Sequence, residues 1–200
     1  RDPEMSRGLG DVYKRQGVYD MVTRCMEQEF PDHVAIRYVA EDGKTVVEKK
    51  YREYAQDIRR MVAYLKAEVP DIKGQRIVLL SRNCYEFCVA SYGIILAGGV
   101  LVTLNQKKTW EELEYELGLV EPAIILNDGI DYGCRAELEA AYGPKLRPMD
   151  CYKETAPGEL TNCVGHDDLM MLMFTSGTTG RSKGVMLSER NMCASLHTYS

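Results

Sequence analysis

The sequence predicts an α/β fold, built from βαβ units whose strands lie parallel in one sheet. Three observations predict it. Short apolar runs, Ile77–Leu80, Val100–Leu104 and Ala123–Leu126, recur about every two dozen residues. The segments between them carry helical patterning and are long enough to cross over a sheet, as parallel strands require. A fourth apolar run, Leu169–Phe174, then delivers the chain into a loop rich in glycine and hydroxyl side chains.

The elements follow in order. Val34–Val39 and Thr45–Val47 flank Asp42-Gly43 and read as a β-hairpin, because Asp-Gly accepts the positive φ that a tight turn demands. From Tyr51 to Val69 the apolar residues Tyr54, Ile58, Met61, Val62, Leu65 and Val69 recur at three- and four-residue spacing, the mark of an amphipathic helix. Pro70 and Gly74 close it. Ile77–Leu80 is a strand, Cys84–Ala97 a mostly buried helix and Val100–Leu104 a second strand. Thr109 and Glu112 form a capping box, in which each side chain satisfies the other's free backbone N–H. The helix it opens displays Leu113 and Leu117; Ala123–Leu126 is a third strand and Cys134–Tyr142 a further helix. Residues 143–166, with Pro144, Pro148, Pro157 and three glycines, read as a long irregular connection.

Composition narrows the function classes. Two hundred residues suffice for one domain or one and a half, and 45% hydrophobic with 28% charged residues describes an ordinary globular chain. A net charge of -5 without any basic stripe excludes a dedicated nucleic-acid binder. Phe87–Leu104 lacks charged residues, yet Gly98-Gly99 interrupts it, so it reads as buried helix, turn and strand rather than a transmembrane segment. The seven cysteines form no C-x-x-C pair. Cys84 and Cys88, four apart on one helix, are half of a metal site or a pair of core thiols; the second reading is preferred, and no metal-ligand set is assigned. An odd cysteine count fits a reducing, cytoplasmic location.

Residues 1–16 stand apart, with neither periodicity nor a helix cap. Ser6–Gln16, SRGLGDVYKRQ, resembles the translation of a transposon-type sequencing adapter. The resemblance implies that residues 1–16 are non-native and that residues 17–200 are part of a longer natural chain.

The chemistry concentrates in MFTSGTTGRSKGV, residues 173–185. It holds five hydroxyl side chains (Thr175, Ser176, Thr178, Thr179, Ser182), three glycines (Gly177, Gly180, Gly184) and Lys183. Backbone N–H groups in a glycine-rich turn converge on anions because no Cβ blocks the approach. Hydroxyls add short donors, and a lysine adds a mobile point charge suited to phosphate oxygens. The apolar run before the loop and Val185-Met186-Leu187 after it anchor both ends, which a flexible linker would lack. A Walker A motif requires G-x-x-x-x-G-K-[ST]. Counted from Gly177, Ser182 stands at the second glycine and Gly184 at the metal-binding hydroxyl, so the ordinary P-loop reading fails. No G-x-G-x-x-G follows a strand either.

Thr175–Gly184, TSGTTGRSKG, resembles instead the phosphate loop of the adenylate-forming (AMP-binding) superfamily. KKYREYAQDIRRMVAYL is similar to an early helix of that family, and residues 74–117 to its next strand–helix–strand–helix block. The resemblance implies the N-terminal part of the large domain of an adenylate-forming enzyme. It implies ATP, Mg²⁺ and coenzyme A, a carboxylate substrate, and acyl-adenylate formation followed by transfer to a thiol. Tyr51–Leu65 and ILAGGVLVTLN lean towards a fatty or other acyl-CoA synthetase; a carrier-protein acceptor and a non-catalytic nucleotide-binding remnant are the alternatives. By the same resemblance, Thr175, Ser176, Thr178 and Thr179 bond phosphate, Gly177, Gly180 and Gly184 allow close backbone approach, and Lys183 is the catalytic cation. Two departures stand out: Ser182 replaces a usual proline, and Glu189 a common histidine. Ribose-binding and C-terminal catalytic motifs are not seen, so the isolated chain is expected to be inactive.

Overall fold

A computed structural model describes residues 17–40, 42–175 and 182–198, with side chains as far as residue 194. The chain enters through a short helix α1 (Val18–Asp20) that widens at once into a π-helical segment, Met21–Glu29. Its wider i→i+5 bonding ends with the Phe30 N–H donating to the Cys25 carbonyl at 2.9 Å.

Strands β1 (Val34–Val39) and β2 (Val46–Lys50) form an antiparallel hairpin, as the Asp-Gly signal predicts. Gly43 takes a φ of 68°, and Asp42 Oδ1 accepts the N–H groups of Lys44 and Thr45, both at 2.8 Å. Helix α2 (Tyr51–Glu68) follows without a break, its first turn closed by Glu53 accepting the Lys50 N–H at 2.8 Å. Tyr54, Ile58, Met61, Val62 and Leu65 are buried, so the predicted stripe is the stripe that packs.

The central sheet is laid down by β3 (Arg76–Leu80), α3 (Tyr85–Ala97), β4 (Val100–Thr103), α4 (Trp110–Val120), β5 (Ile124–Asn127) and α5 (Arg135–Tyr142). β6 (Leu146–Pro148), β7 (Leu169–Thr175) and β8 (Lys183–Ser188) complete it, and α6 (Glu189–Thr198) follows. The six strands lie in the order β6-β5-β3-β4-β7-β8. The first five are mutually parallel, and β8 returns antiparallel along β7.

Strand periodicity splits the core in two. Ile77 and Leu79 of β3 join Leu101, Ile124 and Leu126 against α2 and α3 on one face. Val78 and Leu80 join Val100, Val102 and Ile125 against Leu113, Leu117 and Val120 of α4 and Leu138 of α5 on the other. Alternate residues point to opposite faces of a sheet, and both faces are covered, so these strands read as continuous apolar runs. α3 lies against α2 so closely that Gly93 faces the Met61 side chain. It ends at Gly98, whose φ of 93° lets its N–H turn back onto Ile94 and Ile95.

One expectation is corrected. Residues 143–166 are not irregular throughout: a 3₁₀ turn, Gly143–Lys145, leads into β6, which pairs with β5. Pro148 is tolerated because β6 is an edge strand, where a missing N–H disrupts no inner ladder.

Candidate functional site

Both strands that flank the glycine-rich loop end where the α/β architecture places ligands, at the carboxyl edge of the parallel sheet. β7 terminates at Thr175 and β8 starts at Lys183, and these two residues face one another across the final rung. The preceding rung joins Phe174 to Gly184. Thr175 Oγ1 donates to the Lys183 carbonyl at 3.5 Å, and both side chains are exposed. Three sequence-predicted site residues, Thr175, Lys183 and Gly184, are thus brought together. Ser176, Gly177, Thr178, Thr179 and Gly180 lie outside the described residues.

Gly184 is not imposed by packing. A Cβ there would stand 3.5 Å from Leu172 Cδ2 and 3.8 Å from Phe174 Cε1, both ordinary contacts. Among the described residues no neighbour forbids a side chain at this position.

The sequence does not reveal a third participant. Lys108, in the connection from β4 to α4, donates to Ser182 Oγ at 3.3 Å and pairs with Glu116 Oε1. Glu116 is fully buried in α4, and its Oε2 has no hydrogen-bond partner among the described residues. β4 and β7 are parallel neighbours, and Ser182 immediately precedes the Lys183–Thr175 rung at the end of β7, so the contact becomes possible. The spacing of 8 residues to Glu116 and 74 to Ser182 gives no local signal.

A second concavity of about 880 Å³ opens at the same edge, between the segments that follow β3 and β5. The chain leaves β3 towards β4 on one side and leaves β5 towards β6 on the other, which makes this the topological switch point of the sheet. Three lining cations are held by carboxylates: Lys153 Nζ by Glu86 at 2.9 Å, Arg135 Nε by Glu139 at 2.6 Å, and Arg147 by Glu68. Burial, the largest single influence, would raise the Glu86 carboxyl, but the hydrogen bond and charge of Lys153, with the hydrogen bonds from the Glu86 N–H and the Cys84 side chain, together hold it below its ordinary value. Asp128 on this rim is likewise lowered: burial opposes ionisation, and the N–H groups of Arg82 and Ile130 with the Tyr132 hydroxyl overcome it.

Cys84 and Cys88 pack against the α2–α3 side of the core, and burial raises both thiols. Among the described residues no group of three or more His, Cys, Asp or Glu side chains gathers into a metal site. No helix among them is long and apolar enough to cross a membrane. Glu189 is buried at the start of α6, 3.4 Å from His166 Nδ1.

Comparison with known proteins agrees with this geometry. The family described as AMP-binding enzyme matches residues 24–200. A long-chain-fatty-acid–CoA ligase of Salmonella typhimurium is 28% identical over 212 residues, covering 84% of this chain and 37% of that protein. Gramicidin S synthase 2 of Brevibacillus brevis is 26% identical over 190 residues, covering 92% of this chain and 4% of its own length. Among solved structures, o-succinylbenzoate CoA synthetase from Bacillus subtilis superposes with a TM-score of 0.75 at 25% identity, covering 92% of this chain and 36% of that one. The chain spans about a third of the length of the curated ligases it matches.

Proposed function

Because the chain belongs to the AMP-binding enzyme family, we propose that it forms part of an ATP-dependent ligase that activates a carboxylate and passes the acyl group to coenzyme A. The observation that carries the reading is the junction at the sheet's carboxyl edge. A parallel strand ends in Thr175, antiparallel β8 opens with the exposed Lys183, and the sequence between them is rich in small donors.

That arrangement suits a polyphosphate. In the first step the carboxylate attacks the α-phosphorus in line and pyrophosphate leaves, so the protein's task is to orient phosphates and neutralise charge. Lys183 supplies a cation free to follow the departing oxygens. Thr175, Ser176, Thr178 and Thr179 supply hydroxyl donors, and Gly177, Gly180 and Gly184 leave the backbone accessible. Mg²⁺ would add to the neutralisation of the phosphate charge, and none of the described residues is assigned to hold it. The likeness to long-chain-fatty-acid–CoA ligases supports a fatty or related acyl substrate and, with the odd cysteine count, a cytoplasmic setting. The same reading takes in residues 1–16 as adapter-derived and residues 17–200 as belonging to the N-terminal part of the large domain.

A second reading has one specific support. The match to gramicidin S synthase 2 spans 92% of the chain, so a carrier-protein thiol is the alternative acceptor.

The test is Lys183→Ala in the full-length protein. Fatty-acid-dependent ATP–pyrophosphate exchange should fall about 10²-fold, the usual cost of removing one preorganised charge-stabilising group. Far-UV circular dichroism should be unchanged. An unaltered exchange rate would remove Lys183 from the reaction, and exchange with amino acids in place of fatty acids would favour the second reading.

A further inference from the structure

Lys108 and Glu116 form an ion pair that packing does not explain. Glu116 sits in α4 with no exposure, in an otherwise apolar face formed with Leu113, Leu117 and Val120. A buried carboxylate is costly unless paired, and a hydrophobic residue of similar size is often as stable there. Oε2 moreover lacks any partner among the described residues. What the pair achieves is to hold the Lys108 ammonium at a fixed point, mostly shielded from water, at the carboxyl edge of the sheet. One N–H of that ammonium reaches Ser182 Oγ at 3.3 Å.

Ser182 immediately precedes Lys183. We propose that Lys108, anchored by buried Glu116, is a positioning residue for Lys183: its grip on Ser182, together with the Thr175–Lys183 rung, fixes the start of β8. The Lys183 backbone is then held from both sides, through Thr175 on β7 and through Ser182 on the β4–α4 connection. Only the side chain remains free to track a ligand. The tether also accounts for a departure noted in the sequence. A proline at position 182 would fix φ through its ring; here a serine hydroxyl held by a lysine restrains the same place from outside. Because the Ser182 oxygen accepts from Lys108, its own proton is left to donate elsewhere.

This inference rests on the reading of Lys183 as the phosphate cation only for its purpose. The tether itself is tested without nucleotide. Lys108→Met alone would strand a buried charge, so the variant is the pair Lys108→Met with Glu116→Leu, which removes both charges together. Ser182→Ala removes the hydroxyl at the far end, and the triple variant combines them. Amide hydrogen exchange is followed by NMR at Lys183, Gly184 and Val185, with Leu101 and Val102 of β4 as internal reference.

Each variant should speed exchange at the start of β8 about tenfold and leave β4 unchanged. The triple variant should add nothing further, because both changes cut one connection. Unchanged exchange at Lys183–Val185, effects that multiply in the triple variant, or equal acceleration throughout β4 would each overturn the proposal. Should the double variant fail to fold, Ser182→Ala decides alone, since it sits at the surface end of the tether. A normal exchange rate of ATP and pyrophosphate in Lys183→Ala would sink the functional reading and leave this result standing.

Discussion

Gly93 in α3 offers the sharpest test of how the layer beneath the site is packed. An alanine Cβ at this position would stand 2.8 Å from Met61 Cβ, and closer still to Met61 Cγ. Carbon atoms in contact prefer about 3.5–4.0 Å, so the two helices are short of room by roughly an ångström. Met61 is fully buried and cannot swing into solvent. Overpacking of this kind costs about 1–3 kcal/mol. Against it, replacing glycine by alanine inside a helix returns about 1 kcal/mol of backbone entropy. The net expectation for Gly93→Ala is a loss of about 0–2 kcal/mol, seen as a fall of up to roughly 8 °C in Tm for a chain of this size. Thermal unfolding followed by circular dichroism measures it, with urea titration as a check that the m-value is unchanged. In a Met61→Ala background the same change should cost at least about 0.5 kcal/mol less, because the Cγ conflict has gone. A Gly93→Ala protein that melts above the parent temperature would refute the close α2–α3 approach.

Two further outcomes are expected. Asp128 is held below the ordinary aspartate value of about 3.9, so its contribution to stability is present above that pH and is lost as pH falls through the lowered one. Asp128→Asn should therefore be less stable at pH 7 and lose less stability than the parent between pH 5 and pH 2; parallel urea midpoints across that range would count against it. The 200-residue chain supplied with ATP, coenzyme A and mixed fatty acids should release no pyrophosphate above background, and measurable turnover would show that it carries a complete site.

The parts of the fold that the sequence discloses are those whose order is local. Met61, Leu65 and their neighbours lie one helical turn apart, so the stripe of α2 shows in the residue pattern alone. The Thr109–Glu112 cap is visible for the same reason, and the structure closes it with the Thr109 N–H donating to Glu112 Oε2 at 3.0 Å. β6 is concealed because three residues including Pro148 carry no period and only pairing with β5 makes them a strand. The π-helical segment has no side-chain cap hydrogen bond to announce it, although its Val22 and Met26 are buried in the core. At the site, the loop is recognised from composition and motif, whereas the Lys108–Ser182 contact depends on β4 and β7 lying side by side.

That adjacency also governs the order in which the sheet can be completed. β4 finds β3 across a single helical crossover, and β5 returns to β3 across two. β4 is different on its outer side: Val102 pairs with Leu172, so about seventy residues separate the two strands. At ribosomal rates of about 5–20 residues per second, β4 waits roughly 4–14 s after emerging before β7 can cover it. During that interval an apolar strand presents an open hydrogen-bonding edge to every other nascent chain. Expression yield should thus depend on translation speed and chaperone supply between residues 104 and 175 more than on the stability of the finished protein.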